Sequence, residues 1–475
     1  MESKVKQPVS NNDTTKNSWL SLNPRSLPDV ENGANGKYWK TKDGLELNGT
    51  VEKQEKPMSH MTEVEHPTSY GETLMHLFKG NLGSGLFAMG DAMKNGGIVL
   101  GPAAIIFLGL ICTHCQHLLL TASTKIAQKT GVKVLPDFAT TVELCFENGP
   151  PATQRLAKPM RKLVKLFLCV TQLGFCCVYF VFVSSNFKQL ADYYGFEIDI
   201  HIHMALILGP IILTCLVRNL KYLAPLSAIA NIFMAVGLVI TFYYISQDLP
   251  AFSERDYVGT ASNFPLFFGT ALFAFEGIGL VLPLRNEMKK PDTFQKTFGV
   301  LNVGMVFVTI AFTCLGIVSY LKFGDDIQGS VTLNLPEDEI LGQSVKILIA
   351  LAILMSYALQ FYIAIEIMWG QVEKTHPAMK HPIFYELAFR TLFVLITFVL
   401  AEAIPYLNLF ISLIGAISST ALALLIPPLL EITTSDKSAF KIMKNIFIII
   451  IGVIGCITGT YESIAAIVKA FQEDN

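Results

Sequence analysis

The stretch Leu77-Phe78-Lys79-Gly80-Asn81-Leu82-Gly83-Ser84-Gly85-Leu86-Phe87 sets three glycines within six residues of an otherwise apolar run. Each glycine in a helix interior destabilises by roughly 1 kcal/mol relative to alanine. A second stretch, Phe273-Ala274-Phe275-Glu276-Gly277-Ile278-Gly279, joins two glycines to a carboxylate, again inside an apolar run. Non-helical backbone at membrane depth survives only where it lines a cavity or is buried in protein. The two stretches are therefore read together, as breaks in two membrane-spanning helices.

The chain around them has 475 residues, 52% hydrophobic and only 16% charged, which is too little charge for a soluble chain of that length. Its apolar runs are long enough to cross about 30 Å of hydrocarbon. About eleven spans are expected, at 73–95, 98–123, 163–184, 203–217, 222–245, 264–284, 298–320, 347–367, 384–403, 407–430 and 446–468. The breaks fall in the first helix of each of two five-span sets, one to five and six to ten. Matched interruptions point to an inverted-repeat transporter and to its binding site. The expected fold is thus an all-α integral membrane protein: a five-plus-five inverted repeat with broken helices one and six, plus one C-terminal helix. Residues 1–69, polar and poor in core formers, are expected to be a disordered cytosolic tail. Residues 70–470 form the transporter domain, and 471–475 a short extracytosolic tail. With the N-terminus in the cytosol, roughly eighteen loop Lys and Arg fall on the cytosolic side and about five on the other, as the positive-inside rule requires.

An unwound stretch frees backbone groups of two kinds. Amides opening the second half of span one, with the positive dipole end, suit a carboxylate. Gly83, Ser84 and Gly85 are small enough to let a ligand approach them. Freed carbonyls near Phe273, Ala274 and Phe275 suit an ammonium, and Phe273 and Phe275 would wall the pocket. The expected ligand-binding set is Gly80, Asn81, Gly83, Ser84, Gly85, Phe273, Ala274, Phe275 and Glu276. Helix packing through small residues would explain one such cluster; two in matched positions favour a zwitterion site. A phosphate-loop reading fails, because no strand precedes the glycines and no Gly-Lys-Ser/Thr follows.

Longer words along the chain resemble the proton-coupled amino acid transporters, a branch of the amino acid/auxin permease group. They include Thr73-Leu-Met-His-Leu-Phe-Lys-Gly-Asn-Leu-Gly-Ser-Gly85, Lys94-Asn-Gly-Gly-Ile-Val-Leu-Gly-Pro102 and Phe275-Glu-Gly-Ile-Gly-Leu-Val-Leu-Pro-Leu284. Tyr357-Ala-Leu-Gln-Phe-Tyr362 and Ser419-Thr-Ala-Leu-Ala-Leu-Leu-Ile-Pro-Pro-Leu-Leu-Glu431 follow in the same order. The resemblance covers everything after about Tyr70. It implies symport of small neutral amino acids (Gly, Ala or Pro) with protons, in a plasma or lysosomal/endosomal membrane, with no cofactor. It also implies eleven spans and, in some relatives, signalling through a cytosolic partner of the N-terminal tail. Two family cysteines that form an extracytosolic disulfide are missing: Pro336 is followed by Glu337-Asp338-Glu339, and 191–202 has no cysteine.

A proton-coupled carrier needs a group that titrates between compartments. His76 stands where the family has its coupling histidine, one turn before Gly80, and Glu276 at the second break is its rival. Lys79 calls for a partner, with Glu366 of span eight the candidate. Glu366 and Glu402 are weaker site candidates. Cys112-Thr-His-Cys115-Gln-His117 has the letters of a metal cluster, but inside an apolar helix and without a second ligand cluster it reads as packing. His201, His203, His376 and His381 read as solvated. The nine cysteines lie in apolar runs except Cys145 and suggest no disulfide framework. A net charge of −2 gives no reason to expect nucleic acid, and no catalytic constellation suggests an enzyme. Three function classes remain: a proton-coupled symporter, a proton-independent facilitator or exchanger, and an amino acid sensor acting through its tail.

Overall fold

The computed structural model describes residues 67–131, 134–218, 220–377, 380–434 and 438–473. The expected N-terminal tail lies almost wholly outside them. In chain order the helices are α1 (Tyr70–Asn81), α2 (Ser84–Phe87), α3 (Met89–Gly96), α4 (Leu100–Thr130), α5 (Phe138–Glu147), α6 (Pro151–Gln154), α7 (Ala157–Tyr193), α8 (Ile200–Cys215) and α9 (Leu220–Ile245). They continue as α10 (Phe264–Ala274), α11 (Ile278–Glu287), α12 (Val300–Phe323), α13 (Ile340–Thr375), α14 (Pro382–Ala403), α15 (Leu407–Ile414), α16 (Ile426–Thr434) and α17 (Ala439–Glu473). Among the described residues nine helical stretches are long and apolar enough to cross a membrane. The two remaining expected spans are the broken α1–α3 and the 16-residue α8. The last helix runs on to Glu473, through part of the segment expected to be a tail.

Both breaks stand where the glycines are. α1 starts on a capping box: Glu72 N–H donates to Ser69 Oγ (3.4 Å) and Ser69 N–H to Glu72 Oε2 (2.7 Å). That bond from the Ser69 amide holds the exposed Glu72 carboxyl below its ordinary range. The helix stops at Asn81 and resumes at Ser84, running through Ala88 into α3. α10 stops at Ala274, and α11 resumes at Ile278.

Helices that correspond between the two five-span sets also touch each other: α4 meets α12, α7 meets α13, α8 meets α14, and the two broken helices meet. Swapped pairs match as well, since α9 packs on α13 while α15 packs on α7. Such reciprocity is what a pseudo-two-fold axis between the sets produces. The long α7 and α13 form the most extensive pairing and make a wall behind the breaks.

The broken helices are fastened to each other at both ends. At one end Thr68 N–H donates to Glu287 O (2.8 Å) and Lys289 N–H to Thr68 O (2.9 Å). At the other, Ile98 N–H donates to Asp256 O (2.8 Å), Val99 N–H to Tyr257 O (3.0 Å) and Gly259 N–H to Gly96 O (3.1 Å). Gly97 makes that turn with φ +83°, and the backbone of Val258 and Gly259 lies where a Cβ would stand. A side chain there would be strained and would clash.

Two features are absent from the sequence reading. Span ten is not a regular helix: residues Gly415–Ser419 and Ala421–Leu425 form π-helical turns, a geometry enriched at functional sites. And α5 packs between α4, α7 and α16 where only a loop was expected.

The acidic run that replaces the family cysteine ties its loop down by charge. Lys346, buried on α13, donates to Glu337 Oε1 (3.0 Å) and to Gln189 Oε1 of α7 (2.8 Å). Tyr244 of α9 donates to Glu339 Oε2 (2.6 Å). Removing Glu337 would strand a buried ammonium. Glu337→Ala is expected to cost on the order of 2 kcal/mol, less than a fully buried pair because the Glu337 side chain is 39% exposed. Thermal unfolding in detergent should show a lowered Tm, with much of it regained when Lys346→Met is added. A double variant no more stable than Glu337→Ala would refute the ion-pair account.

Candidate functional site

The two breaks abut. An added Cβ on Gly85 would lie 2.7 Å from Ala274 Cα, and one on Gly277 would lie 2.7 Å from Asn81 Oδ1. Only glycine permits these approaches, so the two clusters form one site. Gly83 differs: a Cβ there would meet nothing nearer than the Tyr179 hydroxyl of α7, at 4.0 Å. The space beside the first break therefore opens towards α7. Tyr179 itself faces the side-chain amide of Gln360 on α13. Phe273 closes the flank, its ring 4.5 Å from that of Phe175, which in turn lies 6.4 Å from Tyr179.

The breaks leave polar groups without partners. No side chain caps α2 at Gly83 or α11 at Gly277. Asn81 Nδ2 donates to Leu77 O (2.9 Å), but its Oδ1 has no partner among the described residues, nor does Ser84 Oγ, and both residues are buried. In the second break Phe273 O accepts from Glu276 N–H (3.3 Å), while no backbone N–H among the described residues reaches the carbonyls of Ala274 or Phe275. The uncapped amides that open α2 and the Ser84 hydroxyl can donate, while Asn81 Oδ1, which lies on Gly277, joins the carbonyls of the second break as an acceptor. Buried polar groups in protein are normally paired, which makes these unpaired ones candidates for ligand contacts.

The remaining expected residues disperse. Gly80 packs against Leu280 of α11. Phe275 does not wall the same space as Phe273: its ring meets that of Phe312 of α12 edge-on (5.1 Å) and touches Gly109 of α4. The two phenylalanines diverge because Phe273 lies within α10 and Phe275 is its C-terminal cap. Glu276 is buried behind the break, facing Ser419 in the π-helical segment, with Cys112 of α4 beside it and Oε2 unpaired. His76 lies on the exposed face of α1, near Glu72 and Glu287.

Lys79 has no ion-pair partner among the described residues, and Glu366 sits instead beside Tyr362 on its own helix. Glu402 pairs with His201. His203, expected to be solvated, is buried and bonds Asp199 O (3.0 Å). His114 meets Lys444 Nζ (2.8 Å), which also holds Glu431 (2.6 Å), so it joins α4 to α16 and α17. No cluster of three metal-ligating side chains occurs among the described residues.

Three residues went unnoticed in the sequence: Tyr179, Gln360 and Asp91. Asp91 is a buried carboxylate on α3, facing Asn408 of α15 and bonded by Asn95 Nδ2 (3.3 Å). An ionisable residue inside a span was the available signal for Asp91. Tyr179 and Gln360 gave none, being ordinary members of regular helices.

Burial around the site is lopsided. Residues 84–93 and 267–278 are buried throughout, whereas Leu74, Met75, His76, Phe78, Lys79 and Gly80 are half-buried or exposed. Lys94 Nζ adds a bond to Asp325 O (2.7 Å) on the sealed side. The break is shut towards α3 and less covered towards the start of α1.

The chain matches the family model described as transmembrane amino acid transporter protein over residues 66–465. It is 39% identical over 416 residues to the proton-coupled amino acid transporter-like protein pathetic of Drosophila melanogaster, covering 86% of this chain and 87% of that one. To the probable amino acid transporter skat-1 of Caenorhabditis elegans it is 26% identical over 439 residues, covering 88% and 93%. A manganese transporter from Eremococcus coleocola superposes with a TM-score of 0.51 at 14% identity, covering 89% of this chain and 93% of that one, a likeness of fold alone.

The glycine geometry separates two variants. Gly85→Ala drives a methyl into the Ala274 backbone and is expected to lower both Tm and amino acid uptake. Gly83→Val fills open space and is expected to fold normally, reach the membrane and lose uptake. Detergent melting curves and labelled uptake on the same preparations check this; normal uptake by Gly83→Val would sink the open-space reading.

Proposed function

The chain belongs to the transmembrane amino acid transporter family, and on that premise we propose that it is a symporter of small neutral amino acids and protons that works by alternating access. Secondary transport of amino acids follows from family and fold. Proton coupling, substrate size and the site residues go beyond that, and the single observation that supports them most is the space at Gly83. It is bounded by Tyr179, by the Phe273–Phe175 flank and by unpaired donors and acceptors of two abutting breaks. The substrate carboxylate lies against the backbone of Gly83 and the hydroxyl of Ser84, and its ammonium against Asn81 Oδ1 and the carbonyls of Ala274 and Phe275. Aromatic rings on the flank leave room for a small side chain only.

With the N-terminus cytosolic, the less covered side faces the cytosol, as it would in an inward-facing carrier. The two broken helices are tied at both ends, so they tilt as one body against the α7–α13 wall, exposing the breaks to one side and then the other. Glu276 is the proton carrier we favour. It is buried at the second break, rides on the moving pair and has an unpaired oxygen; His76, on the exposed face of α1, is second. Coupling then means that proton and substrate raise each other's affinity by the same factor. The membrane that houses the carrier is a plasma or lysosomal/endosomal one.

Purified protein in liposomes tests the function without regard to its home membrane. Labelled glycine, alanine and proline should accumulate when an inward proton gradient is imposed, and accumulation should vanish when the gradient is collapsed. Equilibration that ignores the proton gradient would reassign the chain as a facilitator or exchanger. Glu276→Gln is expected to abolish gradient-driven accumulation while sparing exchange of labelled for unlabelled amino acid. If Glu276→Gln still accumulates substrate and His76→Ala does not, the proton site belongs at His76.

A further inference from the structure

We infer that Tyr179 is a substrate-binding residue, its hydroxyl donating to the carboxylate of the bound amino acid, and that Gln360 positions that hydroxyl. The inference rests on the proposed amino acid site and names a ligand for it from outside the broken helices. Tyr179 lies on α7, in the wall against which the pair packs, and it is 5% exposed. Its hydroxyl is the first atom met beyond Gly83, 4.0 Å from where a Cβ would stand. That gap separates it from the one glycine of the first break that has room beside it. Ser84 Oγ, unpaired and buried, follows the same glycine in sequence and can donate beside it.

A phenol has one hydrogen to donate and lone pairs to accept with. On its far side Tyr179 faces Gln360, a neutral amide on α13. In the arrangement we infer, the amide NH2 donates to the phenol oxygen, which leaves the phenol O–H free to point into the break. A carboxylate at position 360 would reverse this, taking the phenol hydrogen for itself and presenting only a lone pair to the substrate. Gln360 therefore acts through Tyr179, and the pair links substrate binding to both α7 and α13. The moving helices supply backbone ligands and the wall supplies one side-chain ligand, so a bound carboxylate bridges the two bodies.

Concentration-dependent uptake of glycine, alanine and proline, by wild type, Tyr179→Phe and Gln360→Glu in liposomes, tests this. Losing a hydrogen bond to a charged group should raise KM roughly tenfold. The rise should be alike for all three substrates, because glycine has a carboxylate and no side chain. Vmax per inserted protein should change little. Gln360→Glu should raise KM in the same way although Tyr179 is intact. Detergent melting curves identify a variant that has failed to fold, and the other then decides. Unchanged KM in folded Tyr179→Phe, or a rise confined to alanine and proline, would overturn the inference. Lack of amino acid uptake by the wild type would overturn the function as well, so the two failures are told apart.

Discussion

Backbone groups released inside a membrane have to be satisfied within the protein, and this chain meets that demand by setting two breaks against each other. Asn81 of one lies on Gly277 of the other, and Gly85 lies on Ala274. Each break is thereby walled by the other, and beside Gly83 a small space is left that the Tyr179 hydroxyl bounds. The glycines serve approach as much as flexibility. At 85 and 277 a methyl group would strike the partner helix, and at 83 it would enter the open space.

The same constraint organises movement. Backbone hydrogen bonds fasten the broken helices at Thr68–Glu287 and Lys289 on one side and at Gly96–Gly259 and Ile98–Asp256 on the other. Neither helix can tilt far alone without breaking bonds whose loss costs more in a low-dielectric surrounding than in water. The wall behind them is tied differently, by long helices and by polar contacts of the loop at 331–339 with α7, α9 and α13. One body is held by backbone pairing and close glycine contact, the other by extensive side-chain packing. The space at Gly83 lies on their boundary, where a ligand can favour one arrangement over another by touching both.

Much of the fold was legible because its causes are local. A run of apolar residues specifies a span by length alone, and a cluster of glycines specifies a break. Both breaks stand where the sequence put them, and the family words read along the chain agree with the family it belongs to. Local signals failed where the outcome depended on a neighbour. Phe273 and Phe275 looked equivalent, two residues apart, yet they point to different helices because the first lies within α10 and the second is its C-terminal cap. Lys79 was given a partner in Glu366 that the packing does not supply. The π-helical turns of span ten carry no clear sequence mark, since Gly415 sits there to let α10 approach.

By itself, then, the sequence determined that the chain is all-helical with apolar spans of membrane length, the position of the breaks and the chemistry a break exposes, because each depends on residues adjacent in the chain. Only the tertiary structure decided which groups share the site. Tyr179 reaches Gly83 from a helix about 96 residues further along the chain, with Gln360 of α13 beside its hydroxyl, and Glu276 faces Ser419 in place of the first break. Those meetings are set by the rotation of each helix about its axis and by the crossing of the two halves. Neither is encoded in any one segment; both come from the packing of all of them.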